Sequence, residues 1–164
     1  MRPREVKRAL AARESDRPRI RVAAVILIDD RLVLVRQSKG RGAPYYLLPG
    51  GGVEHGETLA AALVREVREE TGLICTPGPL LFVNDSIAPT GQRHAVNITF
   101  LATVAPDASP HATDDPSIQA ILLADVSQLN SYNIHPPYTL QLQQAIASGF
   151  AGPAGYLGSL WTAR

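Results

Sequence analysis

One segment, residues 51–73, constrains the fold of this chain more than any other part of its sequence. A glycine turn leads into a run of strong helix formers, and a second glycine follows at position 72. On a helix at about 100° per residue, Glu66, Glu69 and Glu70 lie on one face, because three and four residues separate them. The adjoining arc is apolar and consists of Ala60, Leu63, Val64 and Val67. The pattern predicts a helix with a core-facing side beside an acidic side.

The ends of this helix carry residues that commonly cap helices. Thr58 is the expected N-cap, and Gly72 is expected to follow the last turn in a left-handed conformation. The repulsion between like charges on the acidic side needs compensation, and two sources are open. Arg65 lies four residues before Glu69 and can pair with it, which would make an ordinary solvated acidic face. The alternative is a hard divalent cation, since Mg²⁺ is typically shared between a few carboxylates and substrate phosphates.

The glycines and charges of the segment follow the fixed spacing G-x5-E-x7-R-E-U-x-E-E-x-G-U, in which U is aliphatic. The specified positions are Gly51, Glu57, Arg65, Glu66, Val67, Glu69, Glu70, Gly72 and Leu73. The segment, called the box below, therefore resembles the signature of the Nudix hydrolases without a departure. The resemblance implies the Nudix fold, an α/β architecture in which a mixed β-sheet is sandwiched between α-helices. It also implies hydrolysis of a nucleoside diphosphate linked to another group.

The resemblance assigns metal ligands within and beside the box. Glu66 and Glu70 match the family positions that coordinate metal, which we expect to be Mg²⁺ or Mn²⁺. Glu69 is either a further ligand or the group that orients the attacking water. The carbonyl oxygen of Gly50 is also expected to coordinate. Bound metal would neutralise the diphosphate and lower the pKa of the attacking water.

Three other box residues are expected to support catalysis and substrate binding. Glu57 matches a position that acts indirectly or through a water-bridged metal. Arg65 is expected to orient a carboxylate by bidentate pairing. The glycine turn lets the backbone approach metal and phosphate closely, so Gly51 is a candidate for contact with substrate.

The identity of the general base is open, because the chain has no glutamate after Glu70. Many members of the family use an additional glutamate on a later loop as a ligand or base. Asp114 and Asp115 lie in a polar loop before the last predicted strand and are candidates for that role. A solvated turn is their alternative reading, and Glu69 would then be the base.

Candidate substrate contacts also lie outside the box. Three basic residues on or near the preceding loop could clamp a phosphate, namely Arg36, Lys39 and Arg41. Of the neighbouring Tyr45 and Tyr46, one is expected in the core and one beside the ligand, a role we assign to Tyr46. His94 opens a predicted strand and could contact phosphate, with a structural role at the strand end as the alternative.

The sequence favours ADP-ribose or a related nucleotide sugar as the substrate. A proline about sixteen residues after the box recurs in the ADP-ribose branch of the family, and Pro89 lies sixteen residues after Leu73. House-cleaning hydrolysis of modified nucleoside triphosphates stays open, as does a nucleotide-sensing module without turnover. A dinucleotide-binding oxidoreductase is excluded, because the spacing of Gly50, Gly52 and Gly56 is G-x-G-x-x-x-G and occurs mid-chain.

The composition is that of an ordinary globular protein. Of the 164 residues, 45% are hydrophobic and 19% charged, and no apolar run approaches the ~20 residues of a membrane span. One cysteine excludes an internal disulfide and a cysteine-cluster metal site. Of the 16 lysines and arginines, twelve lie in positions 2–41 without interleaved aromatic residues, so nucleic acid is not an expected partner. The start lacks the apolar region of a signal peptide, and a cytoplasmic location is expected.

The remaining pattern predicts a single domain over residues 1–164, of the α+β or the mixed α/β class. A basic arm covers residues 1–18, with a short helix over 4–15. A glycine-rich tail covers 148–164 and is expected to be mobile over 148–158. Its apolar tip, formed by Leu157, Leu160 and Trp161, is expected to dock on the chain's own core or on a second subunit of a homodimer. Pro77, Gly78 and Pro79 predict a hard break. The other predicted elements are a hairpin of strands 19–28 and 32–36, strands 45–48, 80–87, 94–104 and 118–123, and helices 126–129 and 138–147.

Overall fold

The computed structural model describes residues 17–38, 42–111 and 113–161. The strands are β1 (Arg19–Val25), β2 (Leu27–Ile28), β3 (Arg31–Gln37), β4 (Tyr45–Leu47), β5 (Thr76–Ile87), β6 (His94–Thr103), β7 (Ala120–Asp125) and β8 (Gly155–Ser159). The α-helices are α1 (Leu59–Thr71) and α2 (Thr139–Ala147), and Val126–Ser131 form a 3₁₀ helix. The predicted helix over 4–15 lies outside the described residues.

The strands form two sheets. The first has the order β1-β6-β5-β8, in which β1 runs parallel to β6, β5 runs antiparallel to β6, and β8 runs parallel to β5. The second has the order β2-β3-β4, with β7 also antiparallel to β3. The first sheet is therefore mixed, as expected from the sequence.

The two α-helices cover opposite faces of the first sheet. Val22 of β1 belongs to the same core cluster as Leu63 of α1. Val25 of β1 belongs to a second core cluster with Leu142 of α2. Residues 22 and 25 differ by an odd number of positions, so their side chains point to opposite faces of the strand. The sandwich of a mixed sheet between helices is confirmed.

The single strand predicted over residues 19–28 is wrong, because the chain changes sheets at Ile26. β1 pairs with β6, whereas β2 pairs with β3 in the other sheet. The hairpin itself is confirmed for β2 and β3. Its turn residues, Asp29 and Asp30, have φ values of 50° and 59°, which match the twist that a two-residue hairpin turn requires.

The break predicted at Pro77–Pro79 is also wrong. β5 runs continuously over Thr76–Ile87, and its register against β6 shifts between Pro77 and Leu80. A bulge tolerates prolines that cannot donate a ladder hydrogen bond, so the strand continues through them.

The described part of the tail contains a strand, within and beyond the segment that the sequence predicts to be mobile. β8 extends the first sheet, and the backbone N–H of Leu160 donates a 2.7 Å hydrogen bond to the carbonyl oxygen of Asp85. Leu157 and Leu160 pack on the core cluster that contains Leu142. The apolar tip therefore docks on the chain's own core.

The box helix has the caps that the sequence predicts. The side chain of Thr58 accepts a hydrogen bond from the backbone N–H of Ala61, and Gly72 is left-handed with φ 71°. Ala62, Leu63 and Val67 are buried against β1. This packing fixes the rotation of α1 and turns Glu66 and Glu70 toward the glycine turn that precedes it.

Candidate metal-dependent active site

The glycine turn is fastened to β1 by main-chain hydrogen bonds. The N–H of Ala24 donates to the carbonyl of Pro49, and that of Val22 donates to the carbonyl of Gly51, each at 2.9 Å. Gly50 lies between them with φ 150°, and a Cβ atom there would overlap the carbonyl oxygen of Val22. Only glycine allows the turn to approach the strand this closely.

Glu70 is the most buried carboxylate of the box. It is 6% exposed, and its Oε2 accepts a 2.8 Å hydrogen bond from the backbone N–H of Gly50. Burial raises the pKa of Glu70 to about 7, and the negative charges of Glu66 and Asp115 act in the same direction. The Gly50 amide and the Arg21 guanidinium oppose this rise without cancelling it. Glu70 is thus a buried carboxylate among surplus negative charge.

Glu66 lies one helical turn before Glu70 and reaches the glycine turn. Its carboxylate sits directly over Gly51, where a Cβ atom would overlap it. Oε1 of Glu66 accepts a 2.9 Å hydrogen bond from Nη1 of Arg65. The box glycine therefore makes room for a carboxylate that was predicted to bind metal.

Arg65 connects the helix to the loop before it. Nε and Nη2 donate to the two carboxylate oxygens of Glu57 at 2.9 and 2.8 Å, and Nη2 also donates to the Gly52 carbonyl at 3.0 Å. This pairing holds the pKa of Glu57 at about 2 and raises that of Arg65. Nη1 of Arg65 reaches Glu69 at a longer 3.3 Å. Arg65 thus makes a bidentate pair with Glu57, and its role in orienting carboxylates for catalysis stays a prediction.

Asp114 and Asp115 differ in their surroundings. Asp114 is exposed, whereas Asp115 is partly buried and its charge reaches Glu70. Oδ1 of Asp115 accepts a 2.8 Å hydrogen bond from the backbone N–H of Ser117. Asp115 is therefore placed on the loop where the family glutamate was expected.

Among the described residues, no contact joins the predicted substrate-binding residues outside the box to Glu66, Glu70 or Asp115. Arg36 is partly buried on β3, and its Nε has no hydrogen-bond partner. Tyr46 packs edge-on against Tyr132, while Tyr45 is the buried member of the pair. His94 lies 3.9 Å from Asp85 at the start of β6. Their roles stay predictions, and Lys39 and Arg41 lie outside the described residues.

Arg21 is a site residue that sequence reasoning missed. Its Nη2 lies 3.4 Å from the carbonyl oxygen of Gly50, and its positive charge partly offsets the rise in the pKa of Glu70. The available signal was the alternation of Arg19, Ile20, Arg21 and Val22, which places Arg21 on the opposite strand face from the core residue Val22. Nothing in that alternation indicated that β1 runs beside the glycine turn.

The donors fit a hard divalent cation, although they do not converge on one point. Within the described ranges, no group of three or more His, Cys, Asp or Glu side chains is arranged to hold a metal ion. Arg65 holds Glu66, and Glu70 faces Gly50, so these predicted ligands have different partners. Carboxylate oxygens are the donors that Mg²⁺ and Mn²⁺ prefer. Burial is the main cause of the raised pKa of Glu70, and the charges of Glu66 and Asp115, which add to it, are charges that a bound cation would neutralise.

Comparison with known proteins identifies the family. The model of the NUDIX domain matches residues 17–143 of this sequence. The chain belongs to the NUDIX family, as the box indicated. A NUDIX hydrolase from Nitrosomonas europaea has a similar structure, with a TM-score of 0.70 and 26% identity over 84% of this chain and 93% of that one.

Two curated relatives are similar over part of the sequence. An ADP-ribose pyrophosphatase from Methanocaldococcus jannaschii is 37% identical over 87 residues, which are 53% of this chain and 52% of that protein. The 8-oxo-dGDP phosphatase NUDT18 from Homo sapiens is 43% identical over 65 residues, 39% of this chain and 20% of that protein. The matches thus span about half and a fifth of these relatives. Among the described residues, no helix has the length and apolar character needed to cross a membrane.

Proposed function

We propose that this protein hydrolyses the diphosphate bond of a nucleoside diphosphate derivative in a reaction that requires Mg²⁺ or Mn²⁺. The observation that carries the proposal is the buried carboxylate of Glu70, which lies among the negative charges of Glu66 and Asp115 beside a glycine turn. Such an arrangement is costly for a protein by itself and is stabilised by a bound cation. Glu66 and Glu70 are the proposed ligands, with Glu69 as a further ligand.

The chain's own residues supply the positioning and the base. A cation held by these carboxylates would neutralise the diphosphate and lower the pKa of water. Asp115 takes the proton from the attacking water, and Glu69 is the alternative base. The water oxygen forms a new bond to phosphorus while the bond from phosphorus to the leaving phosphate oxygen breaks. Arg65 keeps Glu57 and Glu66 in place throughout.

ADP-ribose is the substrate we propose first, with AMP and ribose 5-phosphate as products. The similarity to an ADP-ribose pyrophosphatase supports this substrate, and so does the position of Pro89 in the turn after β5. The second candidate is a modified purine nucleotide such as 8-oxo-dGDP, which is favoured by the 43% identity to a phosphatase named for that compound.

A substrate panel tests the proposal. The purified chain would be incubated with ADP-ribose, UDP-glucose, 8-oxo-dGDP and 8-oxo-dGTP, with Mg²⁺, Mn²⁺ or EDTA, and products would be separated by chromatography. We expect AMP from ADP-ribose only when metal is present. Turnover of 8-oxo-dGDP alone would select the second candidate. Binding of nucleotides without turnover of any would contradict an enzymatic role and favour the sensing module.

A further inference from the structure

The connection between β6 and β7 is fixed at both ends. Near β6, Val104 and Ala108 pack against the core cluster beneath α1. Near β7, Ile118 packs against a small cluster that includes Val35, and the N–H of Gln119 donates a 2.9 Å hydrogen bond to the carbonyl of Arg36. Asp115 lies between these two anchors. On the β7 side, Oδ1 of Asp115 accepts a 2.8 Å hydrogen bond from the N–H of Ser117, and its carbonyl accepts one of 3.1 Å from the N–H of Ile118.

On the other side of Asp115, His111 makes a further contact, at the C-terminal end of α1. Its backbone N–H donates a 3.0 Å hydrogen bond to the carbonyl oxygen of Thr71, one of the helix-end carbonyls that lack a partner within the helix. Its imidazole ring lies directly on Gly72, where a Cβ atom would overlap Nε2, Cε1 and Cδ2. Gly72 therefore does two things: it ends the helix in a left-handed conformation, and it seats the ring of His111.

The contact lies next to the proposed catalytic carboxylates. Thr71 follows Glu70 directly, and His111 precedes Asp115 by four residues, a span of at most about 14 Å. Fixing His111 on the helix end therefore limits how far Asp115 can move from Glu70.

The aspartate side chain is shorter than that of glutamate, and this difference explains why a contact that positions the loop is needed. This chain has no glutamate after Glu70. An aspartate carboxylate reaches one carbon–carbon bond, about 1.5 Å, less far from the backbone than a glutamate carboxylate does. A loop that uses aspartate must bring its backbone closer to the metal-binding helix and hold it there.

We propose that His111 is a positioning residue, whose contact with Thr71 and Gly72 holds Asp115 beside Glu70 for catalysis. This contact is called the His111 clasp. The proposal rests on the proposed function, because it gives Asp115 a role in the hydrolysis. It assigns His111 no contact with substrate, so His111 acts on turnover only through Asp115.

A double-mutant cycle on kcat for the substrate identified by the panel tests the clasp. Asp115→Asn is expected to lower kcat by about 10²–10⁴-fold, the usual contribution of a general base. His111→Ala is expected to lower kcat about 10–100-fold with KM unchanged, as for residues that orient catalytic groups. His111→Phe keeps a flat ring on Gly72 and should restore most of kcat. In the Asp115→Asn background, His111→Ala should have no further effect, because residues that act as a unit are not additive.

The outcomes separate the clasp from the proposed function. Full kcat in Asp115→Asn overturns the assignment of Asp115 and the clasp together. A slow Asp115→Asn beside a fully active His111→Ala overturns the clasp alone, and so do additive effects in the double variant. Asp107→Asn, an exposed acid in the same connection, is the matched control. Thermal unfolding checks the fold, and His111→Asn replaces His111→Ala in the cycle if the latter does not fold.

Discussion

The backbone N–H of Gly50 donates a 2.8 Å hydrogen bond to Oε2 of Glu70, while the carbonyl oxygen of the same glycine faces Arg21 at 3.4 Å. Gly50 thus links the buried carboxylate of Glu70 to the guanidinium of Arg21 on β1. The same carbonyl was predicted to coordinate metal, and the structure turns it toward Arg21. A metal ion bound to that oxygen would therefore have the guanidinium of Arg21 as its neighbour.

The buried Glu70 should make the metal-free protein less stable as pH rises. Its pKa is raised from 4.5 to about 7, so its favourable contribution is complete below about 4.5 and is lost as pH rises through 7. The loss is about 3 kcal/mol in the free energy of unfolding. Glu70→Gln removes this titration. Thermal unfolding in EDTA at pH 5 and pH 8 should show a larger fall for the natural chain than for the variant, and equal falls would contradict the assignment.

Gly51→Ala should impair catalysis more than it impairs folding. The added Cβ atom overlaps the flexible carboxylate end of Glu66, so the side chain moves and the backbone does not. We expect kcat/KM to fall about 10²-fold, as for a misplacement of about 1 Å at a reacting site. Gly52→Ala is the matched control, because its Cβ atom would lie at an ordinary 3.4 Å from Arg19. Equal activities of the two variants would show that the carboxylate position does not matter.

Arg65→Lys should lower both stability and turnover. Lysine keeps the positive charge but cannot pair with both oxygens of Glu57 while also reaching Glu66. We expect kcat/KM to fall about 10–100-fold and the unfolding temperature to decrease. Arg68→Lys, an exposed substitution one position before Glu69 on the same helix, should change neither. An active Arg65→Lys would mean that charge alone suffices.

Much of the box could be predicted because its chemistry is local. Thr58 and Gly72 cap the helix for reasons that depend only on neighbouring backbone groups, and the helical period alone places Glu66 and Glu70 on one face. The pairing of Arg65 with Glu57 was not predicted from spacing, because the loop conformation decides it.

The parts that could not be predicted depend on contacts between distant segments. Arg21 enters the site because β1 is hydrogen-bonded to the glycine turn nearly thirty residues later. His111 enters because its loop folds back onto the end of α1. The sequence predicts a break at the prolines of β5, because it does not show that a bulge accommodates them.

Asp115→Asn and Asp114→Asn separate the two acidic candidates on the later loop. Asp115 is partly buried and its charge reaches Glu70, whereas Asp114 is exposed. We expect a large loss of kcat in the first variant and a small one in the second, measured with the substrate that the panel identifies. The reverse order would move the base to Asp114, and two fully active variants would move it to Glu69.

The most direct test of the central claim is turnover as a function of Mg²⁺ in the natural chain and in Glu70→Gln, with Glu54→Gln as an exposed acidic control from the same box. We predict metal-dependent release of a nucleoside monophosphate from the natural chain and the control. Glu70→Gln should lose turnover by at least about 10²-fold while remaining folded. Full Mg²⁺-dependent turnover in Glu70→Gln, or turnover of the natural chain in EDTA, would contradict the claim that this buried carboxylate holds the metal.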